Sequence, residues 1–196
     1  KQRRTVLQSL MLAVATPGAW AQSSEPWPSK PLRIVAGGAA SVTDIRARWL
    51  AIRLAPALGQ PVVVENMPAA GGTVAATETI RSAPDGYTVL VYHQGIAAIN
   101  PHLYAKPGYD PLRDLVAITR FGHGSQLLVV PASLPVHNVT ELVALARVKP
   151  GALNFGSPSN GTPPHLASGM FVRMAGIQAT HVPYRGWGES SPALLG

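Results

Sequence analysis

The chain has no cysteine. That removes thiol catalysis, a disulfide framework and cysteine-ligated zinc from the functions open to it, and leaves the compartment undecided. Charged residues make up only 13% of the 196 positions, too few for a disordered polyampholyte. Aromatic residues are 6%, and no aromatic-interleaved basic stripe accompanies the net charge of +7, so nucleic acid is not an expected partner. Lys1, Arg3 and Arg4 hold part of that charge at the extreme N-terminus, and Arg46, Arg48 and Arg53 have the spacing of a solvated helix face. The six histidines include no i, i+4 pair and no HExxH, so no metal site is expected. Beyond the N-terminus no stretch is apolar for long enough to span a bilayer as a helix.

What is present suits a globular protein. Hydrophobic residues are 46%, and 196 residues make one large or two small domains. The N-terminus reads as a signal peptide over residues 1–21. Lys1-Gln-Arg-Arg4 is a basic start, Val6 to Ala15 a short apolar run, and Ala19-Trp-Ala21 a small-x-small cleavage site. An amphipathic N-terminal helix is the competing reading. Cleavage after Ala21 would leave Gln22 as the mature start of a periplasmic protein. The sequence stops at Leu194-Leu-Gly196, one turn into a helix, so a truncated chain is expected, one that binds poorly and is marginally stable.

Strand and helix patterns alternate. Strands are expected at Leu32–Val35, Val62–Glu65, Tyr87–Tyr92, Leu115–Thr119, Gln126–Val130, Asn154–Gly156 and Thr180–Tyr184. The β-branched run at Val62 reads as a buried strand, and the apolar run at Tyr87 as a central one. A helix capped by Thr43 or Asp44 should bury Ile45, Trp49, Ile52 and Leu58, kink or end near Pro56, and stop at Gly59. Further helices are expected at Val74–Ser82, Ala97–Tyr104, Val139–Lys149 (capped by Asn138 or Thr140), His165–Met174 and from Ser190. Such alternation argues for an α/β fold with parallel sheets.

In open parallel sheets, ligands bind beyond the carboxyl ends of the strands. Four loops leave strands there: Gly37–Asp44, Met67–Gly72, His93–Ala97 and Ser157–His165. They are rich in small residues, which let backbone N–H groups approach a ligand, and they open helices whose N-termini favour an anion. Candidate contacts are Gly38, Ser41, Thr43 and Asp44 in the first loop and Gly71 and Gly72 in the second. The fourth loop offers Ser157, Ser159, Asn160, Gly161, Thr162 and His165. Such loops could hold a carboxylate through hydroxyls and N–H groups; ordinary short turns, with Asp44 as a cap, are the competing reading. Gly156 and Gly161 have Walker A spacing, but Thr162-Pro163 follows where that motif needs Lys. Ser159 lacks the leading glycine of a nucleophile elbow. No carboxylate pair suggests acid–base work, so no catalytic residue and no cofactor is expected.

Several segments resemble one family in order and spacing. They are Trp27-Pro-Ser-Lys-Pro-Leu-Arg-Ile-Val35, Thr43-Asp44 with Ala47-Arg48, Leu58-Gly-Gln-Pro-Val-Val-Val-Glu-Asn66 and Ala69-Ala-Gly-Gly72. The series continues with Ala83-Pro-Asp-Gly-Tyr-Thr88, Ile99-Asn-Pro101, Tyr109-Asp-Pro111, Leu153-Asn-Phe-Gly-Ser157, His165-Leu166 and His181-Val-Pro-Tyr184. Together they resemble the periplasmic solute-binding receptors of tripartite tricarboxylate transporters, the Bug receptors. The resemblance implies a periplasmic-binding-protein-like Venus flytrap of two parallel-sheet domains without catalysis. Its first domain would run over 22–120, and its second would begin over 121–196 and be incomplete. A small carboxylate would sit between the domains, for delivery to membrane permease subunits or for sensing. The ligand loops would map onto Gly38–Asp44 and Ser157–His165, and the complete receptor would be a monomer. Two departures stand out. Ala36-Gly-Gly-Ala-Ala-Ser-Val-Thr-Asp44 lacks the usual Pro-Phe, and Met67 stands where Arg is expected; both bear on ligand identity more than on fold. A receptor for a neutral or aromatic solute, a hydrolase or transferase using Ser157, Ser159 or His165, and a nonfunctional fragment are the alternatives.

Overall fold

The computed structural model describes residues 26–120 and 122–195. The expected signal peptide over residues 1–21 lies outside the described residues.

The first unit is a parallel sheet in the order β2-β1-β3, with β1 at Leu32–Ala36, β2 at Val62–Asn66 and β3 at Thr88–Leu90. Leu32 lies opposite Val62, and Arg33 opposite Thr88. Strand β1 is therefore the centre, and Ile34, Val35 and Ala36 are fully buried. This corrects two expectations. Strand β2 is an edge strand among the described residues, with Val63 51% exposed, and β3 is the opposite edge and only half-buried. An apolar run reports what a strand can bury; position in a sheet depends on which strands pair with it.

Helix α1, Val42–Leu58, lies on this sheet through Ala47 and Ala51, which pack with Ile34, Ala36 and Val91. The larger Ile45, Trp49 and Ile52, expected inside, face solvent. Two alanines on the inner face let the helix sit close to β1, and bulkier residues there would hold it off. The helix continues through Pro56 and closes at Gly59 in the left-handed conformation, φ 67°. Its cap is Ser41, whose Oγ accepts from the Asp44 N–H at 3.2 Å; it is neither Thr43 nor Asp44. Helix α2, Thr73–Arg81, follows β2 through a short 3-10 turn at Ala70–Gly72. Arg33 fastens β1 to strand β2 and helix α2, donating to Glu65 at 2.7 Å and Glu78 at 3.0 Å. The segment before β1 is held by the turn before β3. Trp27 packs on Tyr87, Ser29 N–H donates to the Tyr87 hydroxyl at 2.8 Å, and Lys30 pairs with Asp85 at 3.1 Å.

After β3 the chain makes a wide π-type turn at Gly95–Ile99 and a single helical turn, α3, at Asn100–Leu103. Tyr109 returns to this corner, its hydroxyl donating to Ile96 O at 2.7 Å. The strands expected at Leu115–Thr119 and Gln126–Val130 are absent from the described residues; these segments are irregular, and Val116, Ile118 and Leu127 are exposed. A strand needs a neighbour for its backbone groups, and no described strand runs beside them.

The second unit contains α4 at Val139–Val148, β4 at Leu153–Ser157, α5 at Pro163–Ala175, β5 at Ala179–Pro183 and α6 at Trp187–Leu195. Strands β4 and β5 are parallel, with Phe155 opposite His181 and Ser157 opposite Pro183. Asn138 and Glu141 cap α4 reciprocally: Asn138 Oδ1 accepts from Glu141 N–H at 2.9 Å, and Glu141 accepts from His137 N–H at 2.7 Å. No described helix is long and apolar enough to cross a membrane.

Candidate functional site

The loop from β1 into α1 is built around Asp44. This carboxylate is 4% exposed and accepts from Ala40 N–H at 2.9 Å, Arg48 Nε at 2.9 Å and Asn66 Nδ2 at 2.8 Å. Asn66, at the end of β2, also donates to Gly37 O at 2.9 Å, and its Oδ1 accepts from Arg48 at 2.9 Å. Burial alone would raise the Asp44 carboxyl. The hydrogen bonds from Asn66 and Ala40 and the Arg48 guanidinium outweigh it and hold the group below its ordinary value. Ser41 and Thr43 share a hydroxyl–hydroxyl bond of 2.9 Å. Three expected ligand contacts, Ser41, Thr43 and Asp44, are thus occupied in shaping the loop. What the loop presents is backbone. The N–H groups of Val42 and Thr43, in the first turn of α1, have no intrahelical acceptor. Gly38 lies beside Pro68, where a Cβ would make ordinary contact at 3.5 Å, so the space does not require glycine there.

The loop from β4 into α5 is organised by histidines. Ser157, 1% exposed, donates to Ser159 O at 3.1 Å and lies 2.8 Å from His181 Nε2. The His181 ring stacks between Phe155 at 4.9 Å and His165 at 4.2 Å. Burial and then the neighbouring His165 push the His181 pKa below its ordinary 6.5, favouring a neutral ring. His165 Nδ1 accepts from Gly161 N–H at 3.3 Å, and Thr162 Oγ1 donates to Ser159 O at 2.7 Å. The Ser157–His181 pair resembles part of a nucleophilic dyad, but the hydroxyl is buried and committed to Ser159 O, and no hydrogen bond joins a carboxylate to His181 among the described residues. The arrangement holds a loop in shape and lacks the orienting acid that activation of a serine uses.

The second and fourth loops meet across the two units. Gly71 N–H donates to Ser159 Oγ at 3.2 Å, and the Tyr104 hydroxyl donates to Asn160 O at 3.4 Å. Beneath them lies Asn100, completely buried, whose Nδ2 donates to Gly71 O at 3.1 Å and Thr73 Oγ1 at 3.2 Å. Gly72 turns the chain into α2 with φ 90°. His93 closes the corner: its Nδ1 accepts from Gly95 N–H at 3.0 Å, and burial lowers its pKa. Gly71, Ser159, Asn160 and Gly161 thus come together. No hydrogen bond joins the Ser41–Asp44 group to the Ser157–His165 loop among the described residues. A groove of about 430 Å3 beside α2, lined by Met67, Thr73, Thr77, Glu78 and Arg81, contains none of the candidate contacts.

Sequence reasoning passed over Asn66, Arg48, Asn100 and His181. The parallel register that sets His181 against Phe155 and beside Ser157 is the signal that would have found the last of these, because alternate residues of paired strands share a face. No described group of three or more His, Cys, Asp or Glu residues is placed to hold a metal ion.

The comparisons bear on this geometry. Residues 46–196 match the family model described as tripartite tricarboxylate transporter family receptor. The chain is 40% identical over 186 residues to a UPF0065 protein in the gbd 5' region of Cupriavidus necator, covering 94% of this chain and 56% of that protein. It is 32% identical to protein BugT of Bordetella pertussis, covering 97% and 60%. Among solved structures, Rpa4515 of R. palustris with adipate superposes with a TM-score of 0.83 at 34% identity, covering 86% of this chain and 56% of that one. Periplasmic binding protein BugD gives 0.74 at 32% identity, with 86% and 56% covered. MatC of Rhodopseudomonas palustris, solved with bound malate, gives 0.67 at 25%, with 85% and 57% covered. The chain therefore spans somewhat over half the length of the relatives it matches.

Proposed function

This chain belongs to the tripartite tricarboxylate transporter family of receptors, the Bug proteins, and from that premise we propose that it takes part in capturing a small organic carboxylate in the periplasm. The ligand lies between a first unit over 22–120 and a second beginning at 121, and is passed to membrane permease subunits or to a sensory system. The complete receptor works as a monomer, exported by the signal peptide over residues 1–21.

The observation that carries this reading is the hydrogen bond from Gly71 N–H to Ser159 Oγ, which joins two helix-opening loops from different sheets. An incoming carboxylate oxygen competes with that hydroxyl for the N–H, and a charge-assisted bond is roughly twice as strong as a neutral one. The helix dipoles of α1, α2 and α5 favour the same charge. Arg48 is already engaged by Asp44 and Asn66, so recognition rests on neutral donors in a shielded place. Adipate and malate, held by relatives, set the ligand size to try first. The lack of an uncommitted cation in these loops also suits a neutral or aromatic solute as the second reading.

Native mass spectrometry of the full-length gene product against adipate, malate and a set of neutral sugars and aromatic amides separates the two. A single carboxylate adduct, lost on unfolding, is expected. Adducts with neutral solutes alone would overturn the carboxylate reading.

A further inference from the structure

At the seam between the two units, backbone of one comes close to backbone and side chains of the other. A Cβ at Gly71 would overlap Asn160 O, and one at Gly95 would overlap Gly161 O. A Cβ at Gly161 would overlap Asn100 Oδ1 and come within 3.1 Å of Asn100 Cγ. Gly71 and Gly161 have positive φ and so have a local reason to be glycine; the φ of Gly95 lies outside the left-handed region, leaving close contacts as its reason. Asn100 stands at the centre of this seam. Its Nδ2 is tied within its own unit to Gly71 O and Thr73 Oγ1. Its Oδ1 is buried with no hydrogen-bond partner and faces Gly161 of the other unit.

Resting on the reading that the two units close over a ligand, we propose that Asn100 and Gly161 form the latch that sets how far the cleft closes. Asn100 is a positioning residue here and need not touch the ligand. Separating the units returns Oδ1 to water. Bringing them together strips that water and supplies only the Cα–H of Gly161, a much weaker donor than the water it replaces. Closure without ligand is therefore opposed but not abolished by one unpaired amide oxygen, so open and closed forms coexist until ligand contacts offset that cost. Nδ2 is held inside one unit whether the cleft is open or shut, so the two ends of one side chain have separate tasks: one end anchors, the other reads the approach of the second unit.

Site-directed spin labels go at the exposed Ile52 and Met174 as Ile52→Cys and Met174→Cys; these 196 residues contain no cysteine, and any in the rest of the gene product is replaced by serine. Pulsed dipolar distances between them in the full-length gene product report closure with no ligand present. Gly161→Ala is expected to shift the distribution to longer distances and weaken malate or adipate binding roughly ten-fold, the equivalent of about 1.4 kcal/mol. Asn100→Ala combined with Gly161→Ala vacates the space the new methyl needs and also removes the unpaired oxygen, so distances equal to or shorter than those of the wild type and most of the affinity are expected. Backbone strain at residue 161 would not be relieved by that second change. A double variant as open as Gly161→Ala, or a Gly161→Ala protein with unchanged distances, would overturn the proposal.

Should Gly161→Ala fail to fold, the same seam is read by adding Gly95→Ala to a His93→Ala background, with the same opening expected and an unchanged distribution counting against the latch. Failure of the wild type to bind carboxylates refutes the functional reading alone, since the unliganded distances still decide the latch.

Discussion

Removing the Asp44 carboxylate tests whether that group shapes the first loop or meets the ligand. In Asp44→Ala the bonds from Ala40 N–H and Asn66 Nδ2 are lost together, and both donate to a buried anion. Hydrogen bonds to a charged group contribute about 1.5–3 kcal/mol each at most sites. The Arg48 contact adds little, because its side chain is 55% exposed and can turn to water. Asn66 keeps its bond to Gly37 O, which softens the loss. The expected cost is about 3 kcal/mol, or roughly 10 °C in thermal midpoint for a protein of this size. Asp44→Asn should cost about 2 kcal/mol, since one of its amide hydrogens must face a donor.

The effect has a pH signature. The folded-state pKa of Asp44 is held below the ordinary 3.8, so its charge stabilises the fold above that value and ceases to do so as pH falls through the folded pKa. The gap between wild type and variant should therefore be full at pH 7 and narrow progressively below pH 3.8. Urea denaturation at a series of pH values measures it. A variant within about 0.5 kcal/mol of wild type at pH 7, with ligand affinity abolished, would refute the structural assignment and return Asp44 to the ligand.

Two other outcomes follow from the same contacts. Ser41→Ala removes the α1 cap and should cost about 1 kcal/mol in urea denaturation, while Ser41→Gly should cost only a few tenths; equal losses would mean the hydroxyl is not acting as a cap. Burial keeps His93 and His181 below the ordinary histidine value of 6.5, so the unfolded chain takes up protons before the folded one does. Stability should therefore fall as pH drops from 6.5 toward those lower folded values, and a urea midpoint unchanged between pH 7.5 and pH 5 would contradict the partly desolvated placement of both rings.

Local chemistry made much of the fold legible. Gly59 ends α1 because a left-handed residue is needed there, and Asn138 with Glu141 announces α4. Strand order was not legible. Val62–Val64 and Tyr87–Tyr92 both look interior, yet the inner strand is β1, and only pairing over long sequence separations decides that. Leu115–Thr119 and Gln126–Val130 carry strand composition without a strand beside them. At the site, the small-residue loops announced themselves, and Gly71, Ser159, Asn160 and Gly161 do converge. The direction in which hydroxyls turn was hidden, because Ser41, Thr43 and Ser157 could face a ligand or their own loop with the same sequence. In sequence, Asn100 stands out only as part of Ile99-Asn-Pro101. Its burial comes from the approach of a loop some sixty residues later, which no local pattern encodes.

The central place of β1 also constrains how the chain is made. Leu32 is the first of the described strand residues to emerge from a ribosome or a translocation pore, but its partner on one side is Val62 and, for its neighbour Arg33, Thr88 on the other. Each edge of β1 stays unpaired until its own partner has followed it out. For that interval Ile34 and Val35 are exposed in an extended, pairing-ready strand, the kind of segment that seeks intermolecular partners. Parallel pairing over such separations is intrinsically slow, because the connecting loops must be ordered before any contact stabilises them. For a protein laid out in this way, the yield in a host should respond to anything that shields β1 during that interval more closely than to the stability of the finished sheet.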